Sequence, residues 1–266
     1  MLLDRVRRAV QTRHLSPNTE EAYTGWVKRY VLFHGMKHPD EMGPSEVAAF
    51  LTAMATEEGV SASTQNQARS ALLFLYREVL RVPFEDLGAV PKARSRRRLP
   101  VVLTREEVER VLRAMNGTTG LVARCLYGSG LRLSEALGLR VKDLDFGRRE
   151  LTVKRAKGKK DRVTMLPASL ATELARHLER VRALYEEELK KGGGYVVLPG
   201  ALHRKAPSEG RAWGWQFLFP AGRSSTDPNS GRRTRPHLHP SAVQRAMKRA
   251  VTVAGLVKRA SCHTLR

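Results

Sequence analysis

Gly128-Ser129-Gly130-Leu131-Arg132-Leu133-Ser134-Glu135-Ala136-Leu137-Gly138-Leu139 is the stretch on which the fold and chemistry of this chain turn. Two glycines around a serine make a tight turn after a mostly apolar helical run, Leu121 to Tyr127. Beyond the turn the leucines and alanines supply apolar positions, and Arg132 and Glu135 stand three residues apart. On a helix that spacing puts opposite charges on one face, so the bland account is a helical ion pair. A lone arginine after a glycine turn is most often structural. The weight of the stretch comes from what flanks it.

Downstream, Glu150 to Val153 and Arg162 to Leu166 are β-rich runs joined by Ala156-Lys157-Gly158-Lys159-Lys160, which predicts a hairpin with a basic tip. A long helix is expected from about Pro167 to Lys191, with Leu170, Leu174, Leu178, Val181 and Leu184 inward, ended by Gly192-Gly193-Gly194. From Tyr195 to His239 the pattern dissolves into Pro, Gly and Arg, interrupted by Trp213, Trp215, Phe217 and Phe219. A last helix, about Pro240 to Ala254, turns Val243, Met247 and Val251 inward and Arg245, Lys248 and Arg249 outward. The chain closes on Cys262-His263-Thr264-Leu265-Arg266.

Upstream, Leu99 to Leu103 opens a domain, and Thr104-x-x-Glu107 is a capping box ahead of a helix burying Val108, Val111, Leu112 and Met115. Residues 86–98 read as a basic linker, broken by Gly88 and Pro91 and carrying Arg94, Arg96, Arg97 and Arg98, which can track phosphates or serve as a solvated hinge. Residues 1–85 read as four short helices, one of them with Tyr23, Trp26, Val27, Tyr30 and Phe33 at 3–4 spacing; that stripe is read as core rather than a base-stacking platform.

With 48 Lys+Arg against 26 Asp+Glu the formal charge is +22, and a chain so charged repels itself unless a polyanion neutralises it. Nucleic acid is the partner that rewards many separate Lys/Arg contacts. Residues 1–98 carry a net +4 and residues 99–266 a net +18, so the basic surface is expected mainly on the second part. A hydrophobic content of 41% is enough for a real core. Cys125 and Cys262 alone argue for a reducing cytosol, with neither a disulfide framework nor a zinc site. No secretory signal and no membrane-length apolar run is read, so an intracellular protein with no membrane partner is expected.

Taken in order, the Gly130–Glu135 stretch, the basic hairpin tip ending Asp161-Arg162, and His263-x-x-Arg266 resemble the first arginine box, the hairpin lysine and half of the second box of tyrosine recombinases. The resemblance runs over essentially the whole chain: residues 1–85 look like the helical, SAM-like core-binding domain and residues 99–266 like most of the catalytic domain. It implies a mainly α fold with a small β-sheet, the two domains forming a C-shaped clamp on DNA. Strand transfer passes through a doubly charged pentavalent phosphorane, whose non-bridging oxygens two guanidinium forks can clamp. Arg132 and Arg266 are the implied forks, with Glu135 orienting the first. Lys157 is the implied proton donor to the leaving 5′ oxygen, with Lys160 in reserve and Lys159 a phosphate contact. His263 is implied to assist proton transfer at the attacking oxygen. The family reaction needs no metal or nucleotide cofactor.

Within the family, Lys205-x-Pro207 and Trp215-Gln216-Phe217-Leu218-Phe219-Pro220 are similar to the extra segment of integron integrases, which grips unpaired bases of a folded single strand. Trp213, Trp215, Lys205 and His237 are the candidate contacts there, and rings with cations suit unpaired bases; core packing of both rings is the competing account. Ala206 and Pro236 depart from the subfamily pattern. Expected partners are a duplex attachment site, a folded single-stranded cassette site, and further copies of the chain in a synaptic tetramer. The nucleophilic tyrosine of the family follows His-x-x-Arg, whereas the six tyrosines here all precede it, so the chain is expected to be a C-terminally truncated piece that binds DNA without cleaving it. Competing functions are a recombinase acting only on duplex sites, a non-catalytic DNA-binding remnant and, more remotely, an RNA-binding protein.

Overall fold

The computed structural model describes residues 1–82, 93, 99–154, 160–200, 202–227 and 230–266. It divides into two compact units, Met1–Arg98 and Leu99–Arg266.

The first unit is helical: α1 (Leu2–Thr12), α2 (Pro17–Phe33), α3 (Pro44–Thr56) and α4 (Ala62–Phe74), the last running on into a π-helical turn over Leu75–Leu80. The starts are written locally. Ser16 Oγ accepts from Thr19 N at 3.1 Å ahead of Pro17, and Ser61 Oγ accepts from Thr64 N at 3.2 Å, each covering an amide that the helix leaves open. Val6, Val27, Tyr30, Val47, Phe50, Met54, Leu72 and Tyr76 fill the core. Burying two phenols there requires partners, and the Tyr30 and Tyr76 hydroxyls lie 2.9 Å apart, with Tyr76 also donating to Met42 O. The aromatic stripe of α2 is therefore core at Trp26 and Tyr30, while Phe33 at its end is 46% exposed.

The second unit mixes helices with a small sheet. α5 (Arg105–Arg113), α6 (Gly117–Ser129) and α7 (Leu133–Gly138) precede the antiparallel strands β1 (Leu144–Asp145), β2 (Glu150–Val153) and β3 (Arg162–Met165), paired in the order β1-β2-β3 with Val153 opposite Arg162. The long α8 (Ala168–Lys190) follows, then α9 (Leu202–Lys205), a strand pair β4 (Ser225–Thr226) and β5 (Arg233–Thr234), α10 (Pro240–Val253), and a closing 3-10 turn, Cys262–Leu265. Val111, Leu126, Leu137, Leu151, Leu174 and Met247 from α5, α6, α7, β2, α8 and α10 make one core, joined by Phe219 from the segment before β4. Each such side chain contributes about 1.5–3 kcal/mol by leaving water.

The stretch after α8, where sequence periodicity fails, is ordered by single contacts. Arg140 donates to Trp215 O at 2.7 Å and Val197 O at 3.0 Å and lies over the Phe217 ring. Arg235 pairs with Glu188 of α8 at 2.6 Å, both nearly buried, and donates to Ala221 O.

Candidate active site

Gly130 ends α6 in the left-handed conformation, φ 61°. That turn sets Arg132 in an extended conformation at the N-cap of α7, before the helix rather than on its face. Glu135 reaches back to it: Oε2 accepts from Arg132 N at 2.8 Å and Oε1 from Arg132 Nη1 at 2.7 Å. The pair is thus a charged cap that also aims a guanidinium, not an ordinary i,i+3 bridge on a helical surface.

β3 docks on the same turn. Arg162 Nη1 and Nη2 donate to Glu135 Oε1 and Oε2 at 3.0 and 2.9 Å, a two-pronged grip on a carboxylate already holding Arg132. Two residues along the strand, on the same face, Thr164 Oγ1 donates to Ser129 O at 2.9 Å. Burial acts to raise the Glu135 carboxyl; the hydrogen bonds from Arg162 and then Arg132 outweigh it and hold the group at about 2. Arg162 was legible in sequence only as the last residue of a hairpin motif. The strand's apolar residues, Val163 and Met165, are 58% and 65% exposed, so the inward face is the polar one, against the usual rule.

The third contribution comes from the chain's end. The buried Cys262 and Leu265 anchor the closing 3-10 turn, whose start Ser261 caps through His263 N. Arg266 Nε then donates to Gly130 O at 2.8 Å. At three residues per turn His263 and Arg266 share a face, and both are exposed. The Gly130 turn therefore gathers Arg132, Glu135, Arg162 and Arg266 from α7, β3 and the last turn, with His263 adjacent. Two guanidiniums held at one turn are groups that can donate hydrogen bonds to anions.

The other candidate residues are more dispersed. Lys157 and Lys159 lie outside the described residues, as do Arg94, Arg96, Arg97 and Arg98. Lys160 is exposed, just past the hairpin tip, and Lys154 and Asp161 pair at 3.3 Å at the tip's base. Lys205 is exposed at the end of α9. Trp213 and Trp215 are half-buried in a 3-10 turn, neither core nor free platforms. Trp213 meets Tyr185 at a tilt, with Arg182 4.9 Å from its centroid; Trp215 has Lys142 Nζ 2.8 Å from its centroid and donates Nε1–H to Glu209 at 3.1 Å. His237 donates Nδ1–H to Leu238 O and meets Phe217 edge-on. Arg245 and Lys248 are exposed on α10 beside Arg249. Among the described residues, no cluster of His, Cys, Asp and Glu could hold a metal ion, and no helix is long and apolar enough to cross a membrane.

Residues 2–86 match the N-terminal SAM-like domain of phage integrases, and residues 101–266 match the phage integrase family. An integrase/recombinase of Escherichia coli is 47% identical over 265 residues, covering 100% of this chain and 79% of that protein. The tyrosine recombinase XerA of Thermococcus onnurineus is 36% identical over 201 residues, 71% of this chain and 63% of that one. Among solved structures, a lambda integrase dimer bound to a COC' core site superposes with a TM-score of 0.63 at 18% identity, covering 99% of this chain and 85% of that one. A lambda integrase tetramer bound to a Holliday junction gives 0.62 at 20%, over 99% and 66%. The fold, a mainly helical N-terminal domain plus a mixed α/β domain, is that of the lambda integrase structures. A family match over most of the second unit, around the turn where Arg132 and Arg266 converge, leaves one assignment: this chain belongs to the phage integrase family of tyrosine recombinases.

Proposed function

We propose that the chain serves site-specific recombination of duplex DNA, with Arg132 and Arg266 as the phosphate clamp. The observation that carries this is the Arg266–Gly130 hydrogen bond, which delivers the second guanidinium to the turn that presents the first. Glu135 aims Arg132. Lys157 protonates the 5′ oxygen as the P–O bond breaks, and His263 assists the proton of the attacking hydroxyl. A tyrosine hydroxyl attacks phosphorus, leaving a 3′-phosphotyrosyl bond and a free 5′ hydroxyl. The basic linker Arg94–Arg98, Lys159, Lys160 and the α10 residues Arg245 and Lys248 hold flanking phosphates. Copies of the chain assemble on paired sites, in keeping with the dimer and tetramer complexes of lambda integrase that share the fold. Domain limits of 1–85, 86–98 and 99–266 belong to this reading, as does a bacterial cytoplasmic location.

Selection from a randomised duplex pool tests it. The bound fraction is expected to converge on inverted half-sites, as two-fold related copies require, and Arg132→Ala or Arg266→Ala is expected to weaken the selected complex. Retention without convergence sinks the proposal. The 266-residue chain is expected to trap no covalent adduct on a nicked suicide version of that duplex. Of its six tyrosines only Tyr127 is exposed, and an adduct mapping to any of them would show that the nucleophile has been misplaced.

A second reading, integron-type recombination of gene cassettes, rests on the half-exposed Trp213 and Trp215, each flanked by a cation, with Lys205 and His237 in the same segment. If bases stack there, Trp213→Ala and Trp215→Ala each cost about 1–3 kcal/mol on a hairpin with unpaired bases and little on matched duplex. Equal losses on both substrates, from variants with unchanged melting, remove this reading and leave the duplex one standing.

A further inference from the structure

Arg162 lies outside the set to which chemistry has been given, yet its guanidinium alone spans both oxygens of the site's central carboxylate. It occupies both oxygens of Glu135 at 3.0 and 2.9 Å, and the same oxygens accept from Arg132 Nη1 and N. The Glu135 side chain is 7% exposed and those of Arg132 and Arg162 about 30%, so the carboxylate is enclosed while each guanidinium keeps an open side. A carboxylate accepts about four hydrogen bonds. Glu135 has four, two from each arginine, so either arginine changes the geometry available to the other.

We propose that Arg162 is a positioning residue: its two-pronged hold on Glu135 fixes the carboxylate that aims Arg132, and so links that aim to the base of the β2–β3 hairpin. Arg162 stands opposite Val153 in the ladder, and Thr164 pins the same strand to Ser129 at the other side of the Gly130 turn. The strand that returns from the hairpin tip is thereby fastened to the turn at two points, one neutral and one charged. Only the charged one passes through Glu135. A lysine at 162 would keep the charge and lose the fork, because an ammonium cannot present two parallel N–H groups to two oxygens. The inference rests on the assignment of Arg132 to the phosphate clamp for its functional meaning, and on the hydrogen bonds alone for its structural content.

The test is an NMR titration of the 266-residue chain from pH 7 to pH 3, following the Glu135 carboxyl carbon and the Arg132 Nε–H resonance. In the wild type both are expected to stay flat. In Arg162→Gln the Glu135 inflection is expected to rise by about one to two pH units into the observable range, with the Arg132 resonance moving at the same pH. Arg162→Lys is expected to fall between the two. Thr164→Val removes the neutral anchor and should lower the melting temperature without moving the inflection. An inflection that stays put in both Arg162 variants overturns the proposal, as does one that Thr164→Val moves as far, since strand docking would then be the cause. Duplex affinity of Arg132→Gln is measured alongside. If that affinity is unchanged while Glu135 still answers to Arg162, the phosphate-clamp assignment has failed and the positioning link has not.

Discussion

At the scale of the residue, one carboxylate organises the site, and its protonation has a definite consequence. Glu135 titrates at about 2 in the folded chain against an ordinary glutamate value of 4.5. A group whose pKa falls on folding stabilises the fold above its unfolded pKa, and that contribution drains away as pH drops through the folded value. Stability from Glu135 is therefore complete above pH 4.5 and lost toward pH 2. Urea melts at descending pH should show the wild type weakening in that window more than Glu135→Gln does. At pH 7 the same substitution is expected to cost about 1–3 kcal/mol, the range for a hydrogen-bonded charge removed from a semi-buried site. A Glu135→Gln variant as stable as the wild type at pH 7 would mean that the two arginines find equivalent partners elsewhere.

At the scale of the element, the α6–α7 turn decides where Arg132 points. Gly130 has φ 61°, and a Cβ built there would meet nothing within 4 Å. Gly130→Ala is thus a test of backbone strain without collision, and the left-handed conformation costs a non-glycine residue about 1–2 kcal/mol. The expected outcome is that loss in equilibrium unfolding, with the Arg266 contact to the Gly130 carbonyl weakened if the turn relaxes to another conformation. An unchanged midpoint would mean that the turn already has an alternative shape of similar energy. The hairpin teaches a related lesson. Alternation in Arg162-Val163-Thr164-Met165 announces a strand but not which face is inward, and here the apolar pair is outside while Arg162 and Thr164 serve the turn.

At the scale of the whole molecule, charge is the dominant property. A net +18 over residues 99–266 against +4 over residues 1–98 predicts that DNA binding is driven largely by phosphate neutralisation. With six to ten phosphates engaged, affinity for duplex should fall by about 10³–10⁵ between 50 and 200 mM salt. Fluorescence anisotropy across that range measures the slope, and an affinity indifferent to salt would exclude the basic surface as the main contact. No single pair of residues carries this prediction, and Arg132 and Arg266 contribute only a small part of it.

Local order was legible in the chain itself wherever a short-range signal existed. Ser16, Ser61 and the Thr104–Glu107 box start helices because a side-chain oxygen within three residues satisfies an exposed amide, and that needs no knowledge of the fold. The same holds for the apolar period of α8 and for the ordered set of arginine, lysine and histidine motifs that placed the chain in its family. The segment after α8 was not legible, because what orders it is Arg140 on the Trp215 and Val197 carbonyls and Arg235 on Glu188, contacts 47 to 75 residues apart in sequence. Nor could the sequence say that Arg162 shares Glu135 with Arg132, or that Arg266 lands on the Gly130 carbonyl 136 residues away. Hydrogen bonds between distant residues depend on where the packed core sets each backbone, and only the tertiary structure decides that.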